Sequence, residues 1–354
     1  MIVDDSAVYR EFLSHVLSSD PGIEVAASVK DGAAAFDAVS AFRPDVITMD
    51  VNMPGMNGYD VTRRIMETSP TPIIVVSAAD DAGQVGMSFK AMESGAVAVI
   101  PKVRGGSSPE AVAQAAELIQ MVKLMAEVKV VKRWVKKAAV DSESKIPPTK
   151  PSDATGSEAI AAILIGASTG GPLPIRTILS ALPTDLPSAV LIVQHIAAGF
   201  GRGFAEWLAE TSRLPVHVAE DGELVVAGHV YVAPDEAHMG VREGQRIRLS
   251  HDEPENGLRP AVSYLFRSAS RVYGKKAVGV LLSGMGRDGA EELRAMKDLG
   301  ALTFAQDSES CVVFGMPGEA VKLGGACYTL PPEAIASTLV TVVRSSSQRG
   351  GAQS

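Results

Sequence analysis

Three short apolar runs in the second half of the chain each break at a residue suited to acyl-transfer chemistry. Ile163-Leu164-Ile165-Gly166-Ala167 leads to Ser168, then Thr169-Gly170-Gly171-Pro172; Leu191-Ile192-Val193 leads to Gln194-His195; Leu281-Leu282 leads to Ser283-Gly284-Met285-Gly286-Arg287-Asp288-Gly289. An apolar run ending in small residues predicts a buried strand feeding a tight turn, which would hold Ser168 where a substrate can approach. The same glycines would suit a phosphate-cradling loop or a serine N-cap, so Ser168 alone leaves three readings. Its partners favour the nucleophile: imidazole is the usual base for a hydroxyl, and a carboxylate orients and charge-balances the imidazole. His195 and Asp288 stand at the ends of two other strands to fill those roles. His217, His229, His238 and His251 are rival bases in less glycine-rich settings. The loop lacks the lysine and the spacing of a nucleotide-binding motif. Backbone N–H groups after Ser168 and around Met285 are candidate oxyanion donors. Thr169 is an auxiliary candidate, with a helix-start role as its equal alternative.

A second constellation lies in the first hundred residues. Asp4 and Asp5 follow the first apolar run, Asp50 the third, Ser77 the fourth, and Pro101-Lys102 the fifth. In a parallel sheet those strand ends share one edge, so three carboxylates would converge and need a cation. Oxygen-only ligands favour Mg²⁺ bound by Asp4, Asp5 and Asp50. A metal, a hydroxyl and an ammonium around one carboxylate are what a phosphorylatable aspartate requires.

The elements that must position these groups follow from periodicity. Strands are expected at 1–3, 23–27, 46–49, 73–76 and 97–100. Helices are expected around Val8 to Leu17, at 33–42 and at 61–66, giving five βα units. The chain begins three residues before Asp4, so the first strand should be short. A helix is expected from Ser108, with Pro109 at its first position, to about Lys137. Its basic end (Lys129, Lys132, Arg133, Lys136, Lys137) reads as a solvated face rather than a nucleic-acid site. Residues 138–158 are rich in Ser, Pro, Thr, Lys and Asp and read as a linker. The alternation restarts with strands at 160–165, 189–193, 229–232 and 277–282 and helices at 203–211 and 262–272, a doubly wound α/β pattern. The expected division is 1–104, 105–158 (helix and flexible linker), 159–343 and a disordered tail at 344–354.

Composition narrows the class. At 354 residues two domains are the default, and a net charge of -8 argues against general nucleic-acid binding. The two cysteines, Cys311 and Cys327, lie among apolar residues and read as buried free thiols. No signal peptide or membrane-spanning run is evident, which points to the cytoplasm.

Val3-Asp4-Asp5-Ser6, Met49-Asp50-Val51-Asn52-Met53-Pro54-Gly55-Met56-Asn57-Gly58 and Ile100-Pro101-Lys102 resemble a response-regulator receiver domain. That resemblance implies a flavodoxin-like fold, Asp50 as phosphoacceptor, Asp4 and Asp5 as Mg²⁺ ligands, Lys102 at the phosphoryl group and Ser77 as the switch hydroxyl. The second half is similar to the catalytic domain of chemotaxis protein-glutamate methylesterases, the CheB family. The similarity rests on the stretches around Ser168, His195 and Asp288 together with Val232-Ala233-Pro234, Gly257-Leu258-Arg259-Pro260-Ala261-Val262 and Ser310-Cys311-Val312-Val313-Phe314-Gly315-Met316-Pro317. It implies hydrolysis of receptor glutamyl methyl esters and deamidation of glutamines by a Ser168-His195-Asp288 triad, activated by phosphorylation. It further implies methyl-accepting chemoreceptors as substrates and a chemotaxis-type histidine kinase as phosphodonor, with no nucleic acid and no membrane insertion. The chain departs from the family pattern after His195, where it carries Ile196-Ala197-Ala198-Gly199-Phe200-Gly201; Arg202 and Arg259 are candidates to meet acids flanking the substrate glutamate.

Overall fold

The computed structural model describes residues 1–77, 89–103, 105–106, 108–128 and 159–350, the last four without their side chains. The chain divides into two units, Met1–Ile146 and Pro147–Ser354.

In the first unit β1 (Ile2–Val3), β2 (Ser28–Val29), β3 (Ile47–Asp50), β4 (Ile73–Ser77) and β5 (Ala98–Pro101) form one parallel sheet in the order β2-β1-β3-β4-β5. That is the flavodoxin-like doubly wound order. β3 and β4 are buried throughout, as parallel strands covered on both faces must be. Helices α1 (Ala7–Ser18), α2 (Gly32–Phe42), α3 (Gly58–Thr68) and α4 (Pro109–Ala126) are each capped by the side chain before them: Ser6, Asp31, Asn57 and Ser108 accept from main-chain N–H groups of the first turn. A helical turn at 89–93 precedes β5.

Two expectations move. The second strand is Ser28–Val29 rather than 23–27, because pairing with β1 begins where Ala27 accepts the Ile2 N–H at 2.9 Å. The helix from Pro109 ends at Ala126, well short of Lys137. The five basic residues beyond it and the expected linker lie outside the described residues.

The second unit holds seven parallel strands in the order β14-β13-β12-β6-β7-β9-β8. These are β6 (Ala162–Ala167), β7 (Ala189–Gln194), β8 (Val216–Val218), β9 (Val230–Val232), β12 (Ala277–Leu281), β13 (Leu302–Gln306) and β14 (Tyr328–Leu330). β6, β7 and β12 are buried along their whole length at the sheet centre. The helices are α5 (Pro172–Ala181), α6 (Gly201–Ala209), α7 (Val262–Tyr273), α8 (Ala290–Asp298), α9 (Met316–Lys322) and α10 (Pro332–Gly350). An antiparallel hairpin, β10 (His238–Arg242) with β11 (Arg246–Ser250), turns through Gly244 and Gln245 at φ 77° and 55° and was not expected. Residues 344–350 continue α10, where a disordered tail was expected. The order places a switch point between β6 and β12, from which the chain winds outward in both directions. A ligand crevice belongs there, outside the carboxyl ends of the strands.

Candidate active site

Ser168 directly follows β6, His195 directly follows β7, and Asp288 lies in the loop after β12, so all three stand at the carboxyl edge of adjacent strands. The turn carrying Ser168 is held from below: its N–H donates to the Ser283 carbonyl at 3.0 Å and its carbonyl accepts the Gly171 N–H at 2.8 Å. Gly170 has φ 78°, and a Cβ there would lie 2.4 Å from Val312 Cβ, so only glycine permits this turn. The N-cap of α5 is Gly171, with no side-chain cap bond, which removes the reading of Ser168 or Thr169 as a helix cap.

His195 Nε2 and Asp288 Oδ2 lie 2.8 Å apart with both side chains largely buried. Asp288 sits on the N-terminus of α7: Val262 N–H donates to Oδ2 at 2.6 Å and Ser263 N–H to Oδ1 at 3.0 Å. Burial works to raise the Asp288 pKa. The His195 hydrogen bond and charge, with the Ser263 bonds, outweigh it and hold the carboxyl below its ordinary value.

The rival histidines are engaged elsewhere. His238 is fully buried, stacks on Tyr264 at 4.8 Å and accepts the Ala261 N–H through Nδ1. His217 pairs with Glu223 at 2.6 Å and packs edge-on against Tyr231, while His229 stacks on Tyr231. His251 faces the Glu236 carbonyl.

Met285 is 47% exposed and follows Gly284, where an added Cβ would lie 2.7 Å from Ser168 Cβ; the Met285 loop therefore passes directly beside the serine. Thr169 presents its carbonyl to Ser283 Oγ at 2.8 Å. Arg259 donates to the His251 and Asp252 carbonyls.

Three supporting residues have no counterpart among the sequence expectations. Ser283 Oγ also accepts the Val313 N–H at 3.0 Å; Gln306 Oε1 takes the Ser283 N–H at 2.8 Å; Ser263 Oγ accepts the Gly289 N–H and donates to Glu292. Cys311, half-buried, has its thiol pushed up to about 12, by burial first and then by Asp307, which leaves it a poor nucleophile. Both thiols are free, but Cys327 is exposed rather than buried, because it precedes the edge strand β14.

In the first unit Asp4, Asp5 and Asp50 bring carboxylate oxygens within 4.8 Å of one another. Asp4 and Asp50 are buried and Asp5 is exposed. Lys102 Nζ bridges Asp4 Oδ2 at 2.8 Å and Asp50 Oδ2 at 3.0 Å. Burial raises the Asp50 pKa against the opposing pull of Lys102. Burial also works to lower the Lys102 pKa, but its bonds to Asp4 and Asp50 outweigh it and hold it up. Ser77 is fully buried at the end of β4, and its carbonyl accepts the Lys102 N–H at 2.8 Å. Gly58 follows the Asp50 loop; a Cβ there would lie 2.1 Å from the Asp50 carbonyl oxygen.

A serine, histidine and aspartate on one sheet edge and an aspartate cluster with its lysine on another define a two-part class: a serine-hydrolase constellation in a chain that also carries a receiver constellation. Residues 163–339 match the CheB methylesterase family and residues 1–108 the response regulator receiver domain. The chain is 50% identical over 343 residues to a protein-glutamate methylesterase/protein-glutamine glutaminase of Nitrosospira multiformis, covering 97% of this chain and 96% of that protein. It is 52% identical over 343 residues to one of Geobacter metallireducens, covering 97% and 98%. The crystal structure of the Thermotoga maritima CheB methylesterase catalytic domain superposes with a TM-score of 0.50 and 38% identity, covering 52% of this chain and 98% of that one. The chain belongs to the CheB family of protein-glutamate methylesterase/protein-glutamine glutaminases with a receiver domain. It is accordingly an ester hydrolase with glutaminase activity, built from two doubly wound α/β sheets.

Proposed function

We propose that the enzyme removes methyl groups from glutamyl methyl esters, and deamidates specific glutamines, on methyl-accepting chemoreceptors, through Ser168, His195 and Asp288. The observation that carries the reading is the His195–Asp288 pair at 2.8 Å, at the end of the strand next to the one that ends at Ser168. With Nε2 held by Asp288, Nδ1 is the ring nitrogen left to take a proton. Ser168 Oγ attacks the γ-carbonyl carbon as His195 accepts the hydroxyl proton. The tetrahedral adduct collapses, the C–O bond to methoxide breaks, and His195 returns the proton to release methanol. His195 then draws a proton from water, which attacks the acyl-enzyme; the Ser168–acyl bond breaks, His195 returns the proton to Ser168 Oγ and the glutamate leaves. An amide substrate follows the same course with ammonia as leaving group. Main-chain N–H groups beside Thr169 and Met285 are the oxyanion donors of this scheme, each such donor contributing about 3 kcal/mol to lowering a barrier of this kind.

Regulation falls to the first unit, with the receiver placed at 1–104, a helix and linker at 105–158, and the catalytic domain at 159–343. Asp50 is the phosphoacceptor and a chemotaxis-type histidine kinase its donor. Asp4, Asp5 and Asp50 would hold Mg²⁺, and their oxygen-only donor set within 4.8 Å fits that ion. Bound there, it would neutralise charge on the transferring phosphoryl oxygens. Lys102, already between Asp4 and Asp50, exchanges one carboxylate for the phosphoryl group, and Ser77 is the hydroxyl that answers it. The output is adaptation of a cytoplasmic chemosensory system; among the described residues no helix is long and apolar enough to cross a membrane.

Methanol release from methylated receptors, with and without a small-molecule phosphodonor for Asp50, tests both halves. Activity should rise with the donor and vanish in Ser168→Ala. Activity retained by Ser168→Ala would overturn the nucleophile, and activity indifferent to the donor would overturn the regulation.

A further inference from the structure

We infer that Gln194 is a positioning residue that ties the nucleophile's turn to the base. The inference rests on the roles given above to Ser168 and His195. Gln194 is the last residue of β7 and is 5% exposed. Its side-chain Nε2 donates to the Ser168 carbonyl at 2.8 Å and to the His195 carbonyl at 2.9 Å. Two oxygens around one atom fix the orientation of the amide, since Oε1 could accept nothing from either.

The position of this bridge gives it meaning. The last main-chain rung between β6 and β7 is the His195 N–H to the Ala167 carbonyl, at 2.9 Å. One residue further along each strand the ladder stops, and there Ser168 and His195 begin. The Gln194 amide takes the place of the missing rung, so the two turns that carry the reacting side chains are held to each other as well as to the sheet.

Two further features fit a role beyond packing. Gln194 Oε1 is buried with no hydrogen-bond partner among the described residues, a burden that a methionine or leucine of similar volume would avoid. Gly171 leaves the space the amide occupies: a Cβ there would lie 2.7 Å from Gln194 Oε1 and 2.8 Å from the Ser168 carbonyl. The donors are kept, in other words, despite an orphaned acceptor.

Gln194→Met in the full-length chain removes both donors while keeping length and volume. The rate at which a fluorophosphonate labels Ser168, displacing fluoride, reads the nucleophile–base pair without the receptor. Kinetics on methylated receptor separate kcat from KM, and thermal unfolding monitors the fold. Labelling and kcat should fall together, on the order of 10²-fold for a misplacement approaching 1 Å, with KM within twofold and the melting temperature little changed. Labelling and kcat both within twofold of wild type would overturn the inference. So would a lowered melting temperature with an unchanged labelling rate per folded molecule, the signature of a purely structural residue. Wild-type protein that is not labelled at Ser168 would instead sink the nucleophile assignment, and this inference with it.

Discussion

One oxygen of Asp288, Oδ2, faces both His195 Nε2 at 2.8 Å and the Val262 N–H at 2.6 Å, while Oδ1 takes the Ser263 N–H at 3.0 Å. The acid that orients the imidazole is therefore itself oriented by the first turn of α7. Every neighbour of the carboxylate is a donor, so an amide in its place must turn its NH₂ toward at least one of them. Asp288→Asn should fold and should lose kcat on the order of 10³- to 10⁴-fold, because the imidazole is left in the wrong tautomer. Methanol release by the variant within tenfold of wild type would show that His195 is oriented by something else.

The same carboxyl predicts how acid acts on the second unit. Its folded-state pKa lies below the ordinary value because the His195 and Ser263 bonds overcome burial. A depressed carboxyl pKa contributes stability that is present above the unfolded value, about 3.9, and is lost as pH falls through the folded one. The stability gap between wild type and Asp288→Asn should therefore be present at about pH 5 and close as the pH falls below about 4. Urea titrations of both proteins across that range measure it; a gap that widens on acidification would reverse the assigned sign.

The central strands were legible because parallel strands buried on both faces read as unbroken apolar runs, and β6, β7 and β12 carry such runs up to the residues that matter. The helix start at Ser108 was legible as a capping residue followed by helical periodicity. β2 was displaced, since 23–27 is as apolar as a strand yet the pairing with β1 starts at Ala27. The hairpin of β10 and β11 carries only a weak signal, Gly244 between alternating residues, which the helical and strand periodicities on either side outweigh. Ser263, Ser283 and Gln306 carry none: each matters through a contact with a residue 23 to 114 positions away, which no local pattern encodes.

Tyr9 supports the proposed phosphoacceptor site from an unexpected side. Its ring centroid lies 4.7 Å from Lys102 Nζ, and its hydroxyl accepts the Val103 N–H at 2.9 Å, so one residue steadies both the ammonium and the chain beside it. A cation–π contact of this kind contributes about 0.5–2 kcal/mol. Tyr9→Leu should slow phosphorylation of Asp50 by a small-molecule donor roughly two- to thirtyfold, and Tyr9→Phe, which keeps the ring, should fall between. Phosphate incorporation at equal rates in all three proteins would remove Tyr9 from the site.

Ser283 offers the corresponding test beneath the Ser168 turn. Fully buried, it donates through Oγ to the Thr169 carbonyl at 2.8 Å and accepts the Val313 N–H at 3.0 Å, joining the loop after Ser168 to the loop before α9. Ser283→Ala leaves the Thr169 carbonyl and the Val313 N–H, both on half-buried residues, unmet at once, at a cost of about 1–3 kcal/mol for each group that water cannot reach. Stability alone does not distinguish this from any core polar residue. What does is the direction of the kinetic effect: the freed groups border the proposed oxyanion donors rather than the surface that receives the substrate. In Ser283→Ala kcat should therefore fall while KM holds. A variant that loses stability and raises KM at constant kcat would place Ser283 under the substrate-binding surface instead.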